Sequence, residues 1–299
     1  MGSFRSGFAG VFGQTNVGKS TFLNAVLGAK LLITSDKPQA TRNRVRCVYT
    51  DPEAQVVFVD TPGLHEPKNR LGRHLVREAM RALRGLDLLL FMVEPWRTVR
   101  EEDSTTLDRL QRSEVPILLL VNKIDRARGN DLEETLLAYE ATKRFAELLP
   151  ISSTRGAGLD EAMRTIKAYL PEGGLVFPPD VKTDAPEEFL LAEIIREKVY
   201  QRTFREIPYS TAVRVKWVHR GTSRKVEIQA EIVVARESQK GIIIGKRGTM
   251  IKEIGTDART EIEALLGGPV FLELRVAVEP GWTQDEAEIV RLVGEGDGS

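Results

Sequence analysis

A glycine-bracketed loop, GQTNVGKST at residues 13–21, separates a short apolar run from a segment with helical spacing. The run FAGVFG before it is continuously apolar, like a buried strand, and STFLNAVLG after it ends at a glycine, a common helix terminator. A G-x-x-x-x-G-K-S loop in this context wraps backbone N–H groups around phosphate oxygens, and the helix N-terminus adds positive potential. This feature restricts the first part of the chain to a phosphate-binding α/β fold.

Residues 8–172 are predicted to alternate between strands and helices. Three further runs, QVVFVDTPG, DLLLFMVE and VPILLLVNKID, are nearly continuous in apolar residues, as the strands of a buried parallel sheet are. Segments 71–84, 101–112 and 131–149 mix polar and apolar residues at helical period. The alternation predicts a doubly wound, mostly parallel α/β sheet with ligands at the carboxyl ends of its strands.

Two more motifs end predicted strands and indicate the kind of nucleotide. DTPG at 60–63 would supply a carboxylate on the magnesium side and a backbone N–H for the γ-phosphate. In NKID at 122–125, a fixed carboxylate would accept N1–H and the exocyclic amine of guanine, a pair that adenine lacks. PISSTRG at 150–156 would bring the backbone N–H of Ser153 to guanine O6. The motifs, in this order on strand ends, predict a GTP-binding domain.

Individual roles follow from the chemistry of these side chains. Lys19 would reach the β- and γ-phosphates, while the hydroxyls of Ser20 and Thr41 and the carboxylate of Asp60 would ligate Mg²⁺. The expected catalytic residues are Asn16, Lys19, Thr41 and Gly63. The expected GTP-binding residues are Gly13, Gln14, Thr15, Asn16, Val17, Gly18, Lys19, Ser20, Thr21, Asp60, Thr61, Pro62, Gly63, Leu64, Asn122, Lys123, Ile124, Asp125, Ser152 and Ser153.

One position departs from the Ras-like pattern of GTP hydrolysis. Leu64 follows Gly63 where Ras-like enzymes orient the attacking water with a glutamine, so another device is needed or turnover is very slow. The side-chain oxygen of Asn16 would help to hold a monovalent cation that bridges the phosphates. Alternatively, Asn16 only braces the loop, because asparagine is favoured wherever turns need local side-chain bonds.

Composition and charge narrow the remaining possibilities. The 299 residues, 41% of them hydrophobic, suffice for about two domains with real cores. Cys47 is the only cysteine and the N-terminus lacks a secretion-signal pattern, so an intracellular location is expected. A neutral total charge hides a basic block at 196–252, with 14 Lys/Arg against 5 acids, and an acidic block at 253–299, with 3 against 11. An unevenly charged, solvated surface would also account for these blocks.

The second part of the chain begins after a segment rich in Pro and Gly, PEGGLVFPPDVKTDAP at 171–186, which is predicted to be a linker. The elements that follow are predicted in the order α-β-β-α-α-β with a terminal helix. Asp184 and Glu187 mark the start of the first helix, and Thr283 and Glu286 form a capping-box pattern at the last.

A second glycine-bracketed loop, GIIIGKRGTMIKEIG at 241–255, lies at the end of the basic block. It joins two predicted helices, unlike the first loop, and no acidic metal partner or base-reading motif accompanies it. GxxG with a basic pair resembles the KH fold in its type II order, where the loop clamps a sugar–phosphate backbone beside an apolar groove for about four unpaired bases. The expected RNA-binding residues are Gly241, Ile242, Ile243, Ile244, Gly245, Lys246, Arg247 and Gly248, with GIII as groove wall or, alternatively, as core.

The motifs together resemble those of the Era family of bacterial GTPases. The likeness rests on NVGKST, QATR, DTPG, NKID and SS, with Gln14-Thr15 where arginine-proline is usual, and continues through TDAPEEFLLAEIIREKVYQRTFREIPYS at 183–210. It covers nearly the whole chain. The fold that it implies is an N-terminal P-loop GTPase domain at 1–172, a linker at 173–185, and a smaller α+β KH type II domain with a C-terminal helix at 186–299.

The resemblance also implies a function. The chain would be a GTPase switch that hydrolyses GTP to GDP and phosphate, slowly, with Mg²⁺ as cofactor and with stimulation by K⁺. Its RNA partner would be the single-stranded 3′ region of 16S rRNA, and its role would be maturation and assembly of the small (30S) ribosomal subunit. A cytoplasmic monomer is expected, with peripheral association at the inner face of the cell membrane.

Two other functions stay open at this point. A phosphotransferase with a GTP-type donor site and a small-molecule acceptor site in the second domain would need a deep pocket with perturbed acids near 241–255, where the sequence has bases and glycines. A membrane-associated signalling GTPase would need an anchor, a lipidation motif or a basic amphipathic helix, and the sequence supports none of these strongly.

Overall fold

The computed structural model describes residues 3–35, 37, 40–63, 70–96, 98–221 and 224–293. The main division of the chain into two units falls between Asp184 and Ala185. Among the helices in the described ranges, none is long and apolar enough to cross a membrane.

The first unit is built on a six-stranded sheet with the strand order β2-β3-β1-β4-β5-β6. The β2–β3 pair is antiparallel and the other neighbouring pairs are parallel, which confirms the mostly parallel sheet. The strands are β1 (Arg5–Gly13), β2 (Val45–Thr50), β3 (Ala54–Asp60), β4 (Leu88–Val93), β5 (Ile117–Val121) and β6 (Glu147–Pro150).

Helices connect the parallel strands, so β3, β4 and β5 are buried along their whole length. The helices of this unit are α1 (Lys19–Leu27), α2 (Arg70–Arg81), α3 (Glu101–Gln111), α4 (Asp131–Glu140) and α5 (Leu159–Tyr169). Phe91, Leu119 and Tyr139 are among the buried residues of the core between sheet and helices. Because β1, β3, β4 and β5 run parallel, their carboxyl ends share one edge of the sheet, and the predicted motifs follow these ends.

Two strands of this sheet were not predicted. The helix expected at 131–149 ends at Glu140, and residues 147–150 form β6 instead. Four residues are too few to show a strand period, so this strand left no readable signal. β2 lies at the edge of the sheet and mixes polar with apolar residues without a regular period, unlike the continuous apolar runs of the buried strands.

The segment predicted to be a linker lies against the first unit. The fully buried side chain of Gln55 accepts hydrogen bonds from the backbone N–H groups of Val176 (2.7 Å) and Phe177 (2.9 Å). Further along, the N–H of Val48 in β2 donates to the carbonyl of Lys182 at 2.8 Å. The segment therefore has defined partners on β3 and on the edge strand β2.

The second unit confirms the predicted order of elements. These are α6 (Glu187–Arg202), β7 (Thr211–Arg220), β8 (Val226–Val234), α7 (Glu237–Ile244), α8 (Thr249–Leu266), β9 (Val270–Val278) and α9 (Glu286–Val293). The sheet order is β7-β8-β9, with β7 antiparallel and β9 parallel to β8. Buried Ile195, Ile228, Ile254 and Ile262 are part of the core that joins α6 and α8 to the sheet.

Local details of this unit differ from the sequence pattern. The alternation in STAVRVKWVHR would place Trp217 on the face of Val213, but the pairing register shifts between Val215 and Trp217. This bulge leaves Trp217 40% exposed and brings Val218 against the core.

The helix caps also differ. At α9 the capping carboxylate is Asp285, whose Oδ1 accepts the N–H groups of Ala287 (2.9 Å) and Glu288 (3.3 Å), so the Thr283 capping box was wrong. α6 begins directly after Pro186, and Asp184 forms an ion pair with Arg46 at 3.0 Å instead of capping it.

Candidate functional site

The GQTNVGKST loop connects the end of β1 to α1, and two of its glycines have left-handed backbone conformations. Gly13 has φ 146°, and a Cβ there would lie 2.4 Å from the carbonyl oxygen of Met92. Gly18 has φ 101°, and a Cβ there would lie 2.3 Å from Nδ2 of Asn122. Both positions therefore require glycine, for backbone conformation and for close approach of β4 and of the NKID motif.

Lys19, Ser20 and Thr21 form the first turn of α1, and the lysine is turned back over the loop. Nζ of Lys19 donates hydrogen bonds to the carbonyl oxygens of Gly13 (3.2 Å) and Gln14 (2.9 Å). Burial lowers the pKa of Lys19 to about 8, although the nearby carboxylate of Asp60 opposes this shift. A buried cation in a glycine loop is well placed to attract phosphate oxygens.

The three predicted magnesium ligands lie together at the start of α1. Oδ2 of Asp60 accepts hydrogen bonds from Ser20 Oγ (3.1 Å) and Thr41 Oγ1 (3.4 Å), and the two hydroxyl oxygens are 3.1 Å apart. The other carboxylate oxygen, Oδ1, is buried and has no hydrogen-bond partner in the described parts of the chain. Burial raises the pKa of Asp60 to about 6, against the attraction of Lys19.

This cluster has the oxygen donors that Mg²⁺ prefers, and it has an unpartnered carboxylate oxygen. The described residues contain no group of three or more His, Cys, Asp or Glu side chains that could hold a metal ion. The described residues therefore supply only part of a Mg²⁺ ligand set. Phosphate oxygens and water would complete it, as is usual for this ion.

The DTPG motif packs against the phosphate loop. Thr61 is fully buried, and its hydroxyl donates to the carbonyl of Val11 in β1 at 2.7 Å. A Cβ on Gly63 would lie 2.8 Å from Cγ2 and 3.1 Å from the backbone nitrogen of Thr15, so only glycine allows this contact. Leu64, predicted to replace the Ras glutamine, lies outside the described residues.

Asn122 connects three of the predicted motifs. Its Nδ2 donates to the carbonyl of Val17 in the phosphate loop at 2.8 Å. Its Oδ1 accepts from the backbone N–H of Ser153 (3.0 Å) and from the hydroxyl of the same residue (2.9 Å). The asparagine therefore holds the phosphate loop and the PISSTRG segment in fixed positions relative to the end of β5.

The two charged residues of NKID have different surroundings. Lys123 has φ 66°, and its Nζ donates to the carbonyl of Asn16 and forms an ion pair with Glu94, both at 2.6 Å. Asp125 is exposed, and Ser152 Oγ donates to its Oδ1 at 2.5 Å, which orients the carboxylate. Ile124 between them donates its N–H to the carbonyl of Ile151 at 3.3 Å, joining NKID to the neighbouring segment.

The structure shows other surroundings than expected for two predicted site residues, Ser153 and Asn16. The N–H of Ser153, predicted to meet guanine O6, bonds Asn122 in the structure, and its contact with a base stays a prediction. Asn16 is exposed and has φ 67°, a conformation that asparagine tolerates better than most residues. This backbone conformation alone would favour an asparagine at this position.

Sequence reasoning missed Glu94, the partner of Lys123. Glu94 is buried directly after β4, at the same edge of the sheet as the predicted motifs. An acidic residue that ends a continuous apolar strand was the available signal, since such a residue points to the ligand edge of the sheet.

In the second unit, the GKRG loop joins α7 to α8 as predicted. A Cβ on Gly245 would lie 2.7 Å from Cβ of Met250, so this glycine lets the loop turn back against α8. Arg247 and Gly248 have φ values of 54° and 78°, and Gly248 is the residue before the first turn of α8. Lys246 and Arg247 are both exposed.

The apolar residues before this loop divide between two roles. Ile243 is fully buried in the core of the second unit, whereas Ile242 is 48% exposed beside the exposed Gly241. Ile244 and Gly245 are partly buried. Of the two interpretations of GIII, the core applies to Ile243, and an exposed wall remains available at Ile242.

Comparison with protein families agrees with both parts of the site. A model described as "50S ribosome-binding GTPase" matches residues 8–123, and a model described as "KH domain" matches residues 206–283. GTPase Era of Geobacter metallireducens is 47% identical to this chain over 97% of both sequences. GTPase Era of Geotalea uraniireducens is 44% identical over 94% of this chain and 95% of its own.

Solved structures show the same similarity in three dimensions. An Aquifex aeolicus Era variant bound to GDP·AlF₄⁻ superposes with a TM-score of 0.93 at 40% identity, covering 97% of this chain and 99% of that one. Era in complex with MgGDPNP and nucleotides 1506–1542 of 16S ribosomal RNA superposes with a TM-score of 0.92 at 41% identity and the same coverage. The resemblance predicted from the motifs is confirmed, and the chain belongs to the Era family of GTPases.

Proposed function

We propose that this chain is a GTP-dependent RNA-binding switch. It binds and hydrolyses GTP at the shared edge of the first sheet, and it binds the single-stranded 3′ region of 16S rRNA through the KH domain during assembly of the 30S subunit. The observation that carries the proposal is the presence in one chain of two different phosphate-binding loops, one beside a magnesium-type cluster and the other with an exposed basic pair.

The phosphate end of the nucleotide is assigned to the first loop. Backbone N–H groups of residues 13–18 and Nζ of Lys19 would bind the phosphates, in exchange for the lysine's bonds to loop carbonyls. Ser20, Thr41 and Asp60 would hold Mg²⁺, which neutralises charge on the phosphates when it is bound. A relative solved with MgGDPNP supports this cofactor.

The base is assigned to the NKID and PISSTRG segments. Asp125, oriented by Ser152, would accept both donors of guanine, and the stem of Lys123 would lie along the ring. Glu94 and the carbonyl of Asn16 fix the end of that lysine. The preference for guanine then comes from a fixed pair of acceptors, which adenine leaves unsatisfied.

Hydrolysis is expected to be slow. The residue after Gly63 is Leu64, whose apolar side chain cannot orient water. The N–H of Gly63 and the charge of Lys19 would stabilise the γ-phosphate, and a K⁺ ion held by Asn16 would supply further positive charge in the transition state.

The RNA backbone is assigned to the GKRG loop, with bases beside Ile242. Lys246 and Arg247 are exposed where the backbone approaches, and the glycines let it come close. A relative solved with nucleotides 1506–1542 of 16S rRNA supports this partner.

We further infer a cytoplasmic monomer, with peripheral association at the inner face of the membrane.

The phosphotransferase alternative lacks the acids that it needs. Residues 241–255 contain a single acid, Glu253, and it is exposed at the surface of α8. An acceptor site would need a buried base within reach of a small molecule.

A binding experiment tests the proposal directly. A labelled RNA with the sequence of nucleotides 1506–1542 is titrated with the full chain, with and without a non-hydrolysable GTP analogue, beside a scrambled RNA of equal composition. Preference for the natural sequence is expected. Equal affinity for both RNAs would contradict the assignment of 16S rRNA.

A further inference from the structure

A largely buried chain of hydrogen bonds connects the phosphate loop to helices outside the nucleotide motifs. Nε2 of Gln14 donates to Oδ1 of Asp103 in α3 at 2.9 Å. Oδ2 of the same carboxylate accepts the hydroxyl of Tyr139 in α4 at 3.0 Å. Asp103 is 3% exposed and Tyr139 is fully buried. Neither residue belongs to a recognisable motif.

The position of Asp103 explains how a buried carboxylate is stabilised here. It is the third residue of α3, where the positive end of the helix dipole favours a negative charge. Its Oδ2 also accepts the backbone N–H of Arg100 at 3.3 Å, which caps the helix. Both carboxylate oxygens are therefore satisfied, one by α3 and α4 and the other by the phosphate loop.

Gln14 joins this carboxylate to the phosphate-binding lysine. Its side chain bonds Asp103, while its carbonyl oxygen accepts Nζ of Lys19 at 2.9 Å. Fixing the side chain restricts the backbone of the same residue, and this backbone is part of the loop that would surround the phosphates. A loop fixed before ligand binding loses less conformational freedom when the ligand binds.

We propose that Gln14, Asp103 and Tyr139 are positioning residues that hold the phosphate loop in its binding geometry from α3 and α4. The proposal rests on the assignment of this loop as the GTP site. These hydrogen bonds act on the phosphate end of the nucleotide. Their loss should therefore weaken GTP and GDP binding alike and leave the preference for guanine over adenine unchanged.

The two oxygens of Asp103 have different partners, and this allows a rescue experiment. Gln14→Glu places a second carboxylate against Asp103, and nucleotide affinity should fall about tenfold or more, as for a lost hydrogen bond to a charged group. Asp103→Asn alone should be mild, because the Gln14 amide can reverse and accept from the new amide. In the combination of Gln14→Glu with Asp103→Asn, the new amide donates to the new carboxylate and still accepts from Tyr139. Affinity should return to within about threefold of the natural chain.

Fluorescent GTP and GDP titrations measure these affinities, and thermal melts verify that each variant is folded. Gln14→Met, which keeps the size and removes the donor, replaces Gln14→Glu if that variant does not fold, and an unchanged affinity would then overturn the proposal. Glu101→Gln removes an exposed charge from the same helix turn and should have no effect.

Lys19→Ala distinguishes a wrong assignment of the GTP site from a wrong role for Gln14, Asp103 and Tyr139. If it leaves nucleotide affinity intact, the assignment of the GTP site is wrong. Suppose instead that Lys19→Ala abolishes nucleotide binding. If Gln14→Glu then leaves the affinity unchanged, or if adding Asp103→Asn to Gln14→Glu does not restore it, the GTP site stands and only the positioning role of Gln14, Asp103 and Tyr139 is wrong.

Discussion

Three residues of the two loops and the base motif have left-handed backbone conformations without being glycine. Asn16, Lys123 and Arg247 have φ values of 67°, 66° and 54°. Such a conformation costs most residues about 1–2 kcal/mol, so the surrounding contacts must impose it. At Asn16 and Lys123 the contact is mutual, since Nζ of the lysine bonds the carbonyl of the asparagine.

This conformation determines which variant can test a potassium role for Asn16. Hydrolysis should be faster in KCl than in NaCl at equal ionic strength, and Asn16→Gly should remove the difference by raising the barrier roughly 2–4 kcal/mol, as for a lost electrostatic donor. Glycine accepts φ 67° without strain, whereas Asn16→Ala would add strain to the loss of the side chain. Phosphate release measures the rate. If the Asn16→Gly variant keeps the potassium stimulation, Asn16 only braces the loop.

The orientation of Asp125 by Ser152 gives a second prediction at this scale. Asp125→Asn replaces one acceptor with a donor, which matches the 2-oxo group of xanthine. GTP use should fall roughly 10⁴-fold, the class of polar mismatches at a fixed site, and XTP use should rise. Steady-state hydrolysis of both nucleotides measures the exchange. Normal GTP hydrolysis by this variant would show that NKID does not bind the base.

Residues that share a site for chemical reasons could be predicted from the sequence to lie together, and residues that only the topology brings together could not. Ser20 and Asp60 were predicted as magnesium ligands because a hydroxyl after the loop lysine and an acid at a strand end have few other uses; the structure brings them within 3.1 Å. Asp103 lies 89 positions from Gln14, and only the folded sheet brings them together. No local pattern carries that information.

At the scale of elements, the segment predicted to be a linker is attached to the first sheet through Gln55. Oε1 of Gln55 accepts two backbone N–H groups, and its Nε2 donates to the carbonyl of Phe177 and to Thr50 Oγ1, both at 3.0 Å. Thr183 adds a bond from its hydroxyl to the carbonyl of Arg46 at 2.8 Å. This part of the chain behaves as an extension of the β2 and β3 edge.

Gln55→Ala should therefore destabilise the first unit by about 2–4 kcal/mol, because it removes a fully buried side chain and leaves the backbone N–H groups of Val176 and Phe177 without this acceptor. Urea unfolding followed by near-ultraviolet circular dichroism measures the loss, and limited proteolysis should show faster cleavage within 171–184. Gln55→Glu keeps the acceptors and loses the donors, so an intermediate effect is expected. No loss of stability for Gln55→Ala would mean that the segment contributes nothing to this edge.

The elements that sequence analysis predicted are those with strong periodicity. α8 (Thr249–Leu266) is one of these, because a glycine stands at each end and apolar residues recur between them. β6 and the bulge in β7 were not predicted, since they arise from pairing with neighbouring strands. Trp217 changes faces because β8 fixes the register on both sides of the bulge.

At the scale of the whole molecule, the chain combines two loops that are suited to different phosphates. The first is glycine-rich with a buried lysine, Lys19, in a position suited to a nucleotide and a metal ion. The second has an exposed pair, Lys246 and Arg247, suited to a polymer backbone that passes over the surface. Because each loop belongs to its own unit, damage to one should leave the other intact.

The last prediction separates these two functions. Lys246→Asp combined with Arg247→Asp should abolish binding of single-stranded RNA, since it reverses charge where the phosphates approach. The loss of two phosphate contacts should also reduce the slope of log affinity against log salt by about 1.4, at roughly 0.7 per contact for single strands. Aspartate tolerates the left-handed conformation of Arg247 better than most residues, so the loop should keep its shape.

The decisive comparison is RNA affinity against GTP affinity in this variant. A matched control exists in the first unit, where Lys143 also has φ 54° and is followed by Arg144, so that Lys143→Asp with Arg144→Asp changes the total charge equally. The control should retain RNA binding, because its charges belong to the other unit and not to the GKRG loop. If the 246/247 variant loses GTP affinity as much as RNA affinity, the second loop belongs to a nucleotide site. If it still binds RNA as the control does, the backbone clamp lies elsewhere in the second unit.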